Sequence, residues 1–286
     1  MSKEKNKVQD GVLYLVGTPI GNMSDLSERA KKVLSEVDFI AAEDTRNSYK
    51  LLSLIGVQKE LVSYHEHNKK SAGERLVARL LAGESCALIT DAGMPAISDP
   101  GEDLVRLCAE SGVTVSCVPG PSAVVSALAM SALSTRKFAF EGFLSAKASE
   151  RRRELEAVKG ERRTVVFYEA PHKLKNTLSD MRDIFGSERK ISLCREITKL
   201  NEEILRFSLD DAVNYYEQNE PRGEFVLVVE GAPEGAIADE KQDLLSLSPE
   251  EHIAHYVNEG LSKMDAIKAA AKDRGVPKSE MYKYSI

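Results

Sequence analysis

Val12-Leu13-Tyr14-Leu15-Val16-Gly17-Thr18-Pro19-Ile20-Gly21-Asn22 is the stretch on which the fold turns. Its first five residues are an unbroken apolar run that stops at a Gly/Pro loop, as a strand buried on both faces of a parallel sheet does. Behind it, Leu26, Ala30, Val33, Leu34 and Val37 recur at helical spacing. The alternation continues: a strand over Asp38–Ala42, a short helix around Tyr49–Ile55, a strand over Leu61–His65, and a helix over Gly73–Glu84 that Gly83 closes. Strands over Cys86–Thr90 and Val113–Val118 follow, with a helix from about Glu102 to Ser111 between them. Strand-helix alternation of this kind predicts βαβ units and a mainly parallel sheet over residues 11–120, behind a flexible tail over 1–10.

Residues 121–232 read as a second α/β domain with a mixed sheet. A helix over Ser122–Leu133 leads to Lys137–Phe143, a charged helix spans roughly Ser149–Lys159, and Thr164–Ala170 is a strand after which Pro171 opens a helix. Lys190–Ile197 and Glu202–Leu209 pair as strands, Asp210 caps a helix, and Gly223–Gly231 holds the last buried strand. The small, acidic, Gly/Pro-containing stretch 233–247 suits a linker. Residues 248–286 hold two or three short helices broken at Glu259–Ser262 and Arg274–Pro277, with Ser262 and Ser279 as N-caps. Helix, Gly-containing turn, helix reads either as a helix-turn-helix or as a helical dimerisation appendage.

With 286 residues the chain has room for about two domains. Hydrophobic residues at 42% and charged residues at 29% are globular composition. Lys and Arg total 39 against 45 Asp and Glu, for a net charge of −6, which excludes an overall basic coat but not a local basic face. No stretch approaches the ~18 apolar residues of a membrane helix, and the expectation is a soluble cytoplasmic protein with no membrane partner. Cys86, Cys108, Cys117 and Cys194 have neither zinc spacing nor a disulfide framework and read as buried free thiols.

Three strand-to-helix junctions carry the chemistry: Gly17–Asn22, Asp91–Gly101 and Pro119–Ala123. In an open parallel sheet all three would lie along one carboxyl edge, where such sheets bind ligands. The middle one, with two prolines, two glycines and two aspartates, is long and stiff for an ordinary turn. Glu43-Asp44-Thr45-Arg46 either binds or orients a hydroxyl-bearing substrate or simply starts a helix, since Asp and Thr are good N-caps. His65 and His67 could face the same way, but no third metal ligand is spaced to join them, and no metal is expected. Tyr168–His172 and Cys194–Glu196 lie at strand ends that would close a cleft between the two halves. Lys147–Arg163 carries a net charge of +3 and includes Arg151, Arg152 and Arg153; it is either a phosphate-positioning face or a solvated helix laced with Glu–Arg pairs.

Taken together, LYLVGTPIGN, AEDTR, the His67-Asn68 pair, TDAGMPAISDPG, VPGPSA, FYEAPHK and CREITK resemble the bacterial 16S ribosomal RNA 2′-O-ribose methyltransferases, a branch of the tetrapyrrole-methylase-like superfamily. The resemblance covers nearly all of Gly11–Gly231, and the tail is similar to that branch's C-terminal helix-turn-helix. Pro19 stands where the wider superfamily has a glycine, which points away from corrin and porphyrin enzymes; Met94 stands where the RNA branch has Thr.

The resemblance implies two α/β domains with S-adenosylmethionine in the cleft, a small helical module, and 2′-O-methylation of a decoding-centre cytidine in 16S rRNA of the 30S subunit by a homodimer. Carried onto this chain, the cofactor would meet Pro19, Ile20 and the loop residues Asp91, Gly93, Met94, Pro95, Ile97 and Ser98. Ser122, Ala123, Tyr168, Ala170 and Glu224 would complete its site. A ribose hydroxyl is a poor nucleophile, so a carboxylate base is expected, with Asp44, Asp91 and Glu169 as candidates. Arg46, His67, Asn68, Arg151, Arg152, Arg153 and Arg195 would face the RNA. Two other readings use the same fold: a small-macrocycle methyltransferase, which needs neither the basic segment nor the tail, and a non-catalytic RNA-binding factor, which need not bind the cofactor.

Overall fold

A computed structural model describes residues 7–233, 244–258 and 260–284. Most of the predicted tail and of the 233–247 linker therefore lies outside the described residues. The first sheet contains β1 (Val12–Val16), β2 (Phe39–Ala42), β3 (Glu60–Ser63), β4 (Cys86–Ile89) and β5 (Thr114–Val118), in the order β3-β2-β4-β1-β5. Every pairing is parallel. The helices between these strands are α1 (Glu28–Glu36), α2 (Thr45–Leu54), α3 (Lys69–Leu81) and α4 (Gly101–Glu110).

The pleat explains why both faces are apolar. Along β1, Val12, Tyr14 and Val16 pack with Leu26, Val33, Leu34 and Leu52 of the α1/α2 side. Leu13, between them, packs with Leu76, Leu80, Leu104 and Cys108 of the α3/α4 side. Each fully buried Leu or Val contributes roughly 1.5–3 kcal/mol. Because β1 connects outward past β4 to β2, and β4 past β1 to β5, the chain leaves the sheet centre in opposite directions, leaving a crevice beyond their carboxyl ends.

The second sheet is mixed. It orders β6 (Phe138–Phe143), β7 (Thr164–Glu169), β10 (Phe225–Val229), β8 (Lys190–Arg195) and β9 (Glu203–Ser208) as β6-β7-β10-β8-β9. β6 and β7 are parallel and the other pairs antiparallel. One face packs on α5 (Ala123–Met130) through Val124, Ala127, Leu128, Val166 and Val228. The associated helices are α6 (Ala148–Val158), α7 (Pro171–Phe185) and α8 (Leu209–Gln218).

The chain divides into two compact units: Met1–Leu155 with Thr164–Glu230, which holds both sheets, and Glu156–Arg163 with Gly231–Ile286. In the second, α9 (Pro249–Asn258), α10 (Lys263–Arg274) and α11 (Lys278–Met281) bury Ile253, Ala266, Ile267, Ala270 and Met281 together. Gly275 at φ +66° ends α10 in the left-handed conformation that turns the chain toward α11.

Several helix starts differ from the sequence reading. α2 begins at Thr45, four residues before the predicted Tyr49, because the Asp44 side chain accepts from the Arg46 amide. α3 begins at Lys69 rather than Gly73. Ser208, not Asp210, caps α8, in a reciprocal box with Asp211. Ser262 caps α10 as expected, but Ser279 sits inside α11. Cys117 is exposed, unlike the other three thiols, because it lies on the edge strand β5.

Candidate active site

The three junctions converge. Thr18 and Gly93 exchange backbone hydrogen bonds of 2.9 and 3.2 Å, and the Gly17 amide donates to the Val118 carbonyl at 3.2 Å. A Cβ on Gly17 would stand 2.7 Å from the Gly120 Cα and from Met94 Sδ, so the loops meet at a distance that only glycine permits. Beside this seam lies a cavity of about 1040 Å³. Its walls come from the carboxyl ends of β2 and β4, the start of α5, and the second sheet's β7, β10 and the turn after β8.

Asp99 fixes the longest loop. Its carboxylate accepts from the Ala96 amide at 3.0 Å and the Gly101 amide at 2.7 Å. Between and beside these contacts, Ala96 and Ser98 hold φ of +67° and +60°, which costs a non-glycine residue about 1–3 kcal/mol. Burial pushes the Asp99 carboxyl upward against the pull of those amides. Tyr64, itself buried, donates its hydroxyl to the Pro100 carbonyl at 3.0 Å and so ties the loop's end to β3. The facing wall holds a second left-handed turn, with Glu196 at φ +50° and Thr198 at φ +68°. Glu196 Oε1 accepts from the Glu224 amide at 3.0 Å and from Lys199 Nζ at 2.9 Å. Lys199, and with it the Glu224 amide, holds the Glu196 carboxyl below its usual range.

Of the predicted cofactor residues, Ile20, Asp91, Gly93, Met94, Ile97, Ser98, Ser122, Ala123, Tyr168, Ala170 and Glu224 line the cavity. Pro19 lines a separate hollow of about 250 Å³ with Met23, Leu51 and Leu54. Pro95 is buried and is not in the cavity wall.

The predicted catalytic carboxylates separate. Asp44 is outside the cavity wall; its carboxylate grips Arg46 at 2.7 and 3.1 Å, and this guanidinium holds it at about 2. Glu169 lines the cavity but is fully engaged: the Thr177 hydroxyl donates at 2.5 Å, the Ala170 amide at 2.8 Å, and Lys173 Nζ lies 3.0 Å away. Asp91 faces the cavity and accepts from Asn47 at 3.1 Å.

The predicted RNA-facing residues also separate. Arg46 is 87% exposed on its Asp44 partner. His67 is exposed and outside the cavity wall, and Asn68 is spent on the chain itself, accepting from the His65 amide and donating to the Ser63 carbonyl. Arg151 is a correction. Its side chain is 6% exposed and grips Asp180 at 2.7 Å, so it ties α6 to α7 instead of presenting a charge to solvent. Arg152 shares Asp180 and adds Asp183, while Arg153 is exposed. Arg195 pairs with Glu203 at 3.1 Å. His65 and His67 stand edge to face with ring centres 5.9 Å apart, and no group of three or more ligating side chains forms a metal cage among the described residues.

Among the wall residues not named as candidates for this site from sequence are Glu43, Lys69 and Lys199. Lys69 bridges Glu66 and Asp103, each at 2.7 Å. Glu43 stands at the end of β2 with the Thr90 hydroxyl 3.3 Å from its Oε2. Its desolvation, then the charges of Asp91 and Asp99, push its pKa up. The AEDTR stretch did mark this spot, but two adjacent acids give no signal as to which one lines the cavity.

An α/β pair of sheets with a cavity at the carboxyl edge of the parallel one defines a class, and the comparisons name it. The family model for Tetrapyrrole (Corrin/Porphyrin) Methylases matches residues 12–213, and the chain belongs to this family. The chain is 48% identical over 272 residues to the Ribosomal RNA small subunit methyltransferase I of Halalkalibacterium halodurans, covering 95% of this chain and 93% of that one. It is 45% identical, over the same shares, to the protein of that name in Bacillus subtilis. Among solved structures, a cobalt precorrin-4 methyltransferase superposes with TM-score 0.58 at 16% identity over 77% of this chain and 95% of its own. A uroporphyrin-III C-methyltransferase of Thermus thermophilus, complexed with S-adenosylhomocysteine, does so with TM-score 0.56 at 17% identity over 76% and 96%. At those identities the structural likeness speaks for the fold alone.

Proposed function

We propose that this chain transfers a methyl group from S-adenosylmethionine to the 2′-hydroxyl of a decoding-centre cytidine in 16S rRNA, working as a cytoplasmic homodimer on the assembled 30S subunit. The observation that carries the reading is the 48% identity, over nearly the whole of both chains, to a protein named for small-subunit rRNA methylation. The macrocycle methyltransferases share the fold at only 16–22% identity.

The cavity suits the cofactor by its chemistry. Ile20, Ala123, Ile97 and Val226 offer apolar surface. The acids Glu43, Asp91, Asp99 and Glu224 outnumber the wall's cations Lys69 and Lys199, which favours a ligand carrying a sulfonium and an ammonium. Its volume matches sites that enclose small molecules. Ile20, the 93–98 loop, Ser122, Ala123, Tyr168, Ala170 and Glu224 would hold the cofactor, which when bound supplies a methyl group on a good leaving group. Positioning then supplies much of the rate. An acidic wall repels phosphates, so the RNA backbone is held outside it, by exposed cations such as Arg46 and Arg153, and only the sugar enters.

The test is label transfer from methyl-labelled S-adenosylmethionine to unmodified small subunits, with the modified nucleotide mapped. Label on a decoding-centre cytidine ribose is the expected result. Label on a base, or equal rates on naked RNA and subunits, would overturn the corresponding part of the proposal. Cofactor binding without label on subunits or free RNA would return the macrocycle reading.

A further inference from the structure

We propose that Glu43 is the catalytic base, taking the proton from the ribose hydroxyl as its oxygen attacks the methyl carbon. This rests on the ribose methylation proposed above and assigns the role to a carboxylate that was not among the three expected from sequence. The argument is one of geometry. A base must face the cavity, must not already be neutralised by a fixed cation, and must have a free oxygen for an incoming proton.

Asp44 fails on the first two counts, being outside the cavity wall and clasped to Arg46. Glu169 fails on the last two, with Thr177, the Ala170 amide and Lys173 around it. Asp103, Glu196 and Glu224 each hold a lysine within 2.9 Å. Asp99 is consumed by the loop amides. Asp91 also faces the cavity with one oxygen taken by Asn47 and the other free among the described residues, so it meets the same three requirements, and its charge beside Glu43 raises the proton affinity of Glu43. Glu43 faces the cavity, takes one long bond from Thr90 on Oε2, and has no ion-pair partner among the described residues.

The charges around Glu43 fit the role. Desolvation opposes its negative charge most, then Asp91 and Asp99, both on the loop after β4; the Thr90 hydroxyl and then His65, after β3, favour it. The balance raises its proton affinity, and a base works best when its pKa approaches the working pH. The step is balanced. The O–H proton passes to a Glu43 oxygen, the new O–C bond forms as the C–S bond breaks with its electron pair going to sulfur, and the protonated Glu43 then gives its proton to water.

The experiment compares wild type, E43Q and E43D in single-turnover methylation of small subunits at saturating cofactor. Cofactor binding is measured by calorimetry on the same proteins, and the Glu43 carboxyl is followed by 13C NMR against the E43Q spectrum. E43Q should still bind the cofactor, with no more than the modest weakening expected from one fewer wall carboxylate, and at saturating cofactor should slow transfer by about 10²–10⁴-fold. E43D should recover part of the rate. The wild-type rate should fall as acid protonates the base, a limb absent from E43Q, and the Glu43 resonance should titrate above the ordinary glutamate range. An E43Q rate within threefold of wild type with the same acid limb overturns the proposal while leaving ribose methylation intact. If wild type itself transfers nothing to subunits, the functional reading fails and the base falls with it.

Discussion

The most informative single residue after Glu43 is Asp99, because it connects backbone strain to ligand binding. Two non-glycine residues at positive φ persist only where their surroundings over-determine them, and here one carboxylate spans the turn from Ala96 to Gly101. Asp99→Ala removes that brace from a loop whose Gly93, Met94, Ile97 and Ser98 face the cavity. If about 1.4–2.8 kcal/mol of organisation is lost, S-adenosylmethionine binding weakens about 10–100-fold. Calorimetric titration of the variant checks this. A second change, Ala96→Gly, should recover part of the loss, since glycine takes positive φ without penalty. Unchanged affinity in Asp99→Ala would mean the loop holds its shape without the carboxylate. The sequence showed this loop to be unusual through its prolines and glycines. It did not show the strain, because Ala and Ser carry no local preference for the left-handed region that their tertiary contacts impose.

Among the elements, the charged helix α6 shows how a sequence pattern misleads. The run Arg151-Arg152-Arg153 reads as one basic surface, yet successive helical residues point about 100° apart and cannot all face one partner. Arg151 turns inward to Asp180 of α7, where the pair is 6% and 13% exposed. Removing one member of a buried pair typically costs about 3–5 kcal/mol when the other charge is left alone, but Asp180 keeps Arg152 at 2.6 Å, so the cost here is smaller. Arg151→Met should therefore lower the urea midpoint with the same denaturation slope, leaving cofactor affinity of the folded protein unchanged. The double variant with Asp180→Leu should recover much of the stability. A stable Arg151→Met protein that has lost only its hold on small subunits would restore Arg151 as a phosphate contact. The strands, by contrast, were legible almost to the residue. β1, β4 and β10 are continuous apolar runs, and Pro171 marked the first turn of α7. Helix starts were less legible, since Asp44, Thr45, Ser208 and Asp210 are all competent caps and packing chooses among them.

For the whole molecule, the sequence carried the division of the strands between a parallel and a mixed sheet and the meeting of three loops at one edge, while the order of strands within each sheet came from the structure. It could not say how charges sort within each compact unit, which depends on side chains far apart in the chain. The C-terminal unit gives a clear case. His252 is wholly buried, stacked on Tyr256, and its Nδ1 accepts from Arg274 Nε at 3.0 Å while Nε2 lies 3.4 Å from Asp273. An Nδ1 that accepts cannot carry a proton, so protonation breaks the Arg274 bond and sets two cations together. Burial and then Arg274 lower the His252 pKa; Asp273 opposes them, and His255 adds to them. The unfolded imidazole gains its proton near pH 6.5, the folded one only at lower pH, so between these points the unfolded chain binds more protons. Stability of this unit is then complete above pH 6.5 and declines as pH falls, by at most about 1.4 kcal/mol per pH unit for one proton. Amide hydrogen exchange in α9 and α10, corrected for the intrinsic pH dependence of exchange, should show opening free energies that shrink below pH 6.5. In His252→Phe, which keeps the ring and removes the proton site, that decline should vanish. A decline of the same size in both proteins would place its origin elsewhere in the unit and remove His252 as the group that titrates.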